Sequence, residues 1–160
     1  MNIKYVCHET VKNGYTPSIK TNKNLIEFLN KYLDLTLERT YTTNLFPYIK
    51  MGSMSARIPP KDMKRAAIDF TCPMIEIIEP KVVVVFGMLT FNALRQALSL
   101  RKVSNMKEAV KSSFMLGSSR IFFQTHPSQQ AQNTRNRKNK SQVELDWNEM
   151  SYYLKNKNKI

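Results

Sequence analysis

Four consecutive valines, Val82 to Val85, set between Lys81 and Phe86-Gly87, constrain the fold more than any other stretch of the chain. Such a run cannot alternate between core and water, and its β-branched side chains favour a pleated strand over a helix. A strand that is apolar on both faces needs cover on both, as in a parallel sheet flanked by helices. Glu79-Pro80 stops the preceding element, and Gly87 permits a tight exit turn. A helical pattern then runs from Thr90 through Phe91, Leu94 and Leu98 to about Leu100. This is the strand-turn-helix step of a doubly wound fold, which places ligands at the carboxyl ends of its strands.

The remaining pattern fills in around that step. Met1 to Cys7 reads as a short strand, Asn13-Gly14 as a turn, and Thr21 or Asn22 as the start of a helix reaching about Leu35. Thr40 to Phe46 is rich in β-branched and aromatic residues and reads as a strand ended by Pro47. Lys50 to Pro60 reads as a loop. Lys61 to about Ile78 is helical, with Met63, Ala66, Ala67, Phe70, Met74, Ile77 and Ile78 as its apolar positions and Pro73 as a kink or break. Lys102 to Arg120 gives no clear pattern beyond a helical turn at Met106 to Val110 and a turn at Gly117-Ser118-Ser119. Ile121 to Thr125 reads as a strand, Gln129 to Ser141 as a polar, basic linker, and Val143 to Leu154 as an amphipathic helix. The expected fold is a three-layer α/β/α sandwich with a central, mostly parallel four-stranded sheet. A single domain is expected over residues 1–160, with 1–20 as a degenerate first strand and loop and 155–160 as a frayed tail.

The chain carries 25 basic and 12 acidic residues, a net charge of +13. That excess suits a polyanionic partner, nucleic acid first, although an AT-rich genome enriching Lys and Asn gives the same composition. Cys7 and Cys72 are too few for a disulfide framework or a four-ligand metal site, so a reduced, cytoplasmic setting is expected. The longest apolar run is far too short to span a bilayer.

Two polar residues fall near the ends of expected strands: Asn44, and His126 just past the 121–125 strand. If both strands flank the valine strand in parallel, the two side chains meet at one edge of the sheet. An amide beside an imidazole can read the polar edge of a planar ligand, and a neutral imidazole can donate to an oxygen that gains negative charge. Position alone also allows a plainer account, in which Asn44 caps a turn and His126 braces a loop.

The segment Tyr41-Thr42-Thr43-Asn44-Leu45-Phe46-Pro47-Tyr48-Ile49-Lys50 is followed by Ile58-Pro59-Pro60, Cys72-Pro73, Pro80-Lys81-Val82-Val83-Val84-Val85-Phe86-Gly87 and His126-Pro127-Ser128. In that order and spacing the motifs resemble the uracil-DNA glycosylase superfamily, most nearly the bacterial branch that usually carries an iron–sulfur cluster. The resemblance covers about Thr40 to Ser128. It implies that Asn44 reads the Watson–Crick edge of a flipped-out uracil and that His126 donates to the base O2 as the glycosidic bond breaks. It further implies that Ser128 and Gln129 approach the DNA backbone, with Arg135, Arg137, Lys138 and Lys140 on phosphates or, equally, as a solvated charge run.

The departures from that family are specific. Its first strand leads into a Gly/Pro-rich loop holding the residue that positions water, and here no Gly-x-x-Pro-Gly precedes Gly14. Glu9, five positions before Gly14, is the candidate for that role, with His8 a less favoured substitute and an exposed loop carboxylate the alternative. Tyr15 falls where the family places an aromatic that stacks on the base, or is an ordinary packed tyrosine. An iron–sulfur cluster needs four thiolates, so none is expected here, and Met51 stands where the cluster branch has a cysteine. Gln129-Gln130-Ala131-Gln132-Asn133 replaces the family's apolar wedge. The expected activity is that of a monofunctional DNA glycosylase, acting as a monomer and without a cofactor. The alternatives are a binding module that has lost hydrolysis and, less well supported for want of a Gly-rich phosphate loop, a nucleotide-binding protein.

Overall fold

The computed structural model describes residues 8–48, 56–138 and 140–157. The chain forms two compact units: Thr42–Thr125, and the residues up to Tyr41 together with those from His126 onward. The strand expected over Met1 to Cys7 lies outside the described residues.

The N-terminal part holds α1 (His8–Asn13) and α2 (Lys20–Phe28), which runs on as a π-helical turn over Leu29–Leu33. The helix expected to reach Leu35 thus changes its winding before it ends. A short 3-10 turn, Leu37–Arg39, follows.

The expected strand over Thr40 to Phe46 is absent, and the segment is irregular. Residues 41 to 44 are all exposed, so no apolar face is available to dock a strand. The threonine hydroxyls instead bond local backbone, Thr40 Oγ1 to the Leu37 carbonyl at 2.7 Å and Thr43 Oγ1 to the Asn44 carbonyl at 3.5 Å. Such local bonds compete with a sheet ladder.

The unit Thr42–Thr125 continues with α3 (Pro60–Ala66), a π-helical turn (Ala67–Thr71) and α4 (Cys72–Ile78). Pro73 lacks an amide for the α-helical ladder, and the wide turn just before it absorbs that loss. The inserted residue also rotates the buried face by about 100°. Met63, Ala66 and Ala67 are buried as expected, but the next buried positions are Thr71, Cys72 and Ile75. Phe70, Ile77 and Ile78, read from sequence as core, are exposed.

The strands are β1 (Val82–Phe86), β2 (Phe114–Leu116) and β3 (Ser119–Gln124); α5 (Met88–Ala97) and α6 (Met106–Lys111) lie between β1 and β2. The sheet order is β1-β3-β2, with β1 parallel and β2 antiparallel to β3. Among the described residues the sheet therefore has three strands, not four, and one of its two pairings is antiparallel. The valine strand is at its edge. Its residues are half-buried except Val85, whereas β3, paired on both sides, is buried at every position but Arg120. Gly87 makes the expected exit turn at φ 89°, and its amide donates to the Gln124 carbonyl at 3.3 Å.

The core of this unit joins Leu45, Met63, Val85, Phe91, Ile121 and Phe123, among others. Two polar side chains order the stretch that sequence left open. Asn92 Nδ2 donates to the Val103 carbonyl and Asn92 Oδ1 accepts from the Val103 amide, at 3.0 and 2.9 Å. Arg95 donates to the carbonyls of Arg101 and Ser112 at 2.8 and 2.9 Å, and its guanidinium lies over the rings of Phe91 and Phe114.

In the other unit, α7 (Gln129–Arg135) occupies half of the expected linker, and α8 (Gln142–Lys157) extends the expected final helix in both directions. Trp147 is fully buried, stacked at 5.8 Å on Tyr32 and 5.2 Å from Phe28. Ser151 Oγ donates to the Tyr32 carbonyl at 2.7 Å. No described helix is long and apolar enough to cross a membrane.

Candidate active site

The unit that begins again at His126 holds a small, closely bonded arrangement around the His-Pro-Ser triplet. The Ser128 amide donates to Nδ1 of His126 at 3.1 Å. Nδ1 is therefore the acceptor nitrogen, and in the neutral ring the proton resides on Nε2. Although His126 is exposed, the protein around its ring lowers its pKa by partial desolvation, which favours the neutral form.

The triplet is fastened through its middle residue. Pro127 is buried, and its carbonyl accepts from Asn24 Nδ2 at 2.8 Å and from Gln132 Nε2 at 2.9 Å. Asn24 is itself buried, on the face of α2 that carries Leu25 and Phe28. Sequence reasoning missed Asn24 and took Gln132 only as part of the segment that replaces the family's wedge. The available signal was a polar residue four positions before Phe28, on an apolar helical face.

Ser128 is the residue preceding the first turn of α7, and its carbonyl accepts from the Gln132 amide at 3.1 Å. Gln129 is exposed, and its amide donates to Asn133 Oδ1 at 2.9 Å. Arg137, Lys138 and Lys140 are exposed beyond α7. Arg135 differs from them. Its guanidinium grips Asp146 through two bonds of 2.7 and 2.9 Å, with the carboxylate only 3% exposed, and Gln142 donates to the same carboxylate. This charge ties α7 to α8, which a run of basic residues could not reveal.

Glu9 and Tyr15 belong to the same unit as His126, and both have protein partners. Glu9 lies on α1 and not on a loop, and its Oε2 accepts from the Ser18 hydroxyl at 2.6 Å and the Ser18 amide at 3.4 Å. The Tyr15 hydroxyl donates to Glu38 Oε1 at 2.9 Å, and this bond holds the phenol's pKa above its ordinary value. Glu38 is held below the usual carboxylate range, first by its own backbone amide and then by the hydroxyls of Thr36 and Tyr15.

Asn44 belongs to the unit Thr42–Thr125, where it is exposed. Its neighbour Leu45 anchors it: the Leu45 side chain enters the core, and the Leu45 carbonyl accepts from Thr71 Oγ1 at 3.4 Å. Thr71 closes the π-helical turn, so the same insertion that turns Phe70 outward turns this hydroxyl inward.

An iron–sulfur cluster requires four thiolate ligands, and the chain has two cysteines. Cys72 is buried, and burial, followed by the nearby Glu76 carboxylate, raises its thiol pKa. A buried thiol in an apolar setting with a raised pKa serves as a packing residue.

No curated protein matches the chain. The family model described as the uracil DNA glycosylase superfamily matches residues 13–151, which takes in Asn44 and the His-Pro-Ser triplet alike. The chain belongs to the uracil DNA glycosylase superfamily.

Proposed function

We propose that the protein is a monofunctional DNA glycosylase that removes uracil or a modified pyrimidine and leaves an abasic site. The observation that carries this reading is the hydrogen bond from the Ser128 amide to His126 Nδ1. It leaves the proton of the neutral ring on Nε2, the form needed to donate to a base oxygen.

The chemistry needs such a donor. When the N-glycosidic bond breaks, its electron pair leaves with the base, and the negative charge spreads onto O2. A fixed N–H donor at O2 stabilises that charge most in the transition state. Water then adds at C1′, and a proton from it ends on the departed base. Asn44 is assigned to reading the base edge, since a carboxamide offers both a donor and an acceptor. Extrusion of the base from the duplex, or an already unpaired strand, gives access to C1′. Arg137 and Lys138 are assigned to phosphates. No lysine position argues for Schiff-base chemistry and strand cleavage.

One observation favours a second reading. The Glu9 carboxylate, the candidate for orienting water, is bonded to Ser18. A module that binds a flipped base without hydrolysing it would keep His126 and Asn44 and lack the oriented water.

Incubation with uracil-containing oligonucleotides, single- and double-stranded, followed by hot alkali, separates the two. Cleavage that disappears in His126→Ala and in Asn44→Asp is the expected result. Salt-sensitive binding that yields no abasic sites would establish the binding module instead.

A further inference from the structure

We propose that Tyr48 and Phe70 form a stacking platform for unpaired bases of single-stranded DNA. Both belong to the unit Thr42–Thr125. Tyr48 is 52% exposed and Phe70 41% exposed, unusual values for aromatic rings that also touch each other. The two rings meet edge to face, with centroids 5.3 Å apart and planes at 85°, and Phe46 meets Tyr48 at 5.2 Å and 67°. In an edge-to-face pair the edge of one ring rests on one face of the other, which holds the two in place and leaves the remaining faces to other partners.

Phe70 is on the surface because of the π-helical turn. In a continuous α-helix it would share the buried face of Met63, Ala66 and Ala67. The insertion brings Thr71 and Cys72 inward and turns Ile68, Asp69 and Phe70 outward. Turns of this kind inside α-helices are frequent at functional sites. Here its result is an aromatic pair, Phe70 against Tyr48, at the surface.

The charge nearby in sequence selects the occupant. Arg57, Lys61 and Lys64 are exposed, while Arg65 pairs with Asp69 at 3.1 Å, so the stretch from Arg57 to Phe70 carries four basic and two acidic residues. Basic residues beside exposed aromatic rings are the combination that holds single-stranded nucleic acid, with cations on the backbone and rings under the bases. Tyr48 also follows Asn44 by only four residues. The platform deepens the glycosylase reading, on which its biological role rests, by specifying an unpaired strand beside the base to be removed.

The test is the binding of a labelled, undamaged oligothymidylate to the full chain, read by fluorescence anisotropy, beside a duplex of equal length. Tyr48→Leu/Phe70→Leu keeps apolar bulk and charge but removes the ring faces. It is expected to raise Kd for the single strand about tenfold, the scale of one lost base stack. Duplex affinity should stay within twofold, the slope against salt should not change, and Tyr48→Phe should bind as the parent does. If the double variant loses its thermal midpoint, Tyr48→Leu alone, at an exposed loop position, gives the reading. Single-strand affinity within twofold of the parent would overturn the proposal, as would an equal loss on duplex or a concentration-dependent dimer broken by the variant. Because the probe has no excisable base, a failure to excise bears only on the glycosylase reading.

Discussion

Nδ1 of His126 accepts from the Ser128 amide two residues along the chain, at 3.1 Å. The bond fixes which ring nitrogen can face a substrate, and it fixes the sign of the pH dependence. Adding a proton to Nδ1 would set it against the Ser128 N–H. Partial desolvation acts in the same direction, lowering the pKa. Excision should therefore be level above the ordinary imidazole value of about 6.5 and decline only at lower pH. The linked stability has a matching sign. Because the folded pKa is depressed, the unfolded chain binds the proton first, so stability falls as pH drops through the ordinary value toward the folded one. A rate–pH profile with its acid limb above 6.5 would contradict this assignment.

Asn24 is expected to act as a positioning residue for the triplet. Asn24→Ala removes one of two donors from the buried Pro127 carbonyl and leaves Gln132 as the other, at a cost of about 0.5–1.5 kcal/mol in urea unfolding. Its specific signature is an acid limb moved toward the ordinary imidazole value, which general destabilisation would not produce.

Arg135 and Arg137 are close in sequence and should behave oppositely. Asp146→Ala removes a buried carboxylate and strands the largely, not fully, buried Arg135 guanidinium, and should cost about 3 kcal/mol. Arg137→Ala/Lys138→Ala should leave thermal stability unchanged and reduce the slope of log K against log salt by about 2. An unchanged slope would remove both residues from the phosphate contacts.

Glu9→Gln retains an oxygen that can accept from Ser18 while removing the charge. The engaged carboxylate leads us to expect excision within about threefold of the parent, an effect below one kcal/mol. A loss of two orders of magnitude in single-turnover rate would instead make Glu9 the residue that orients water.

Gly87→Ala forces a side chain into φ 89° at the exit of β1. The position is sterically open, so the expected loss of about 1–3 kcal/mol is conformational strain alone. Differential scanning calorimetry would show it as a lowered Tm without a change in cooperativity.

The elements that sequence determined are those set by local chemistry. The valines with Pro80 before and Gly87 after them specify β1 and its exit, and the spacing of Phe91 and Leu94 specifies α5, because β-branching, fixed proline φ and glycine's freedom act within a few residues. The His-Pro-Ser and Asn44 motifs identified the family for the same reason. What tertiary structure decided was where partners distant in the chain compete for one residue. Thr40 to Phe46 has strand composition, but Tyr41 to Asn44 are exposed and only Leu45 and Phe46 reach the core, and the segment is irregular. Phe70 has the spacing of a core residue, but the turn before Pro73 exchanges it for Thr71, which bonds Leu45 from 26 residues away. Arg135 looks like its basic neighbours until Asp146 is placed against it. Composition and periodicity record what a side chain prefers, and only the folded chain fixes which partner meets that preference.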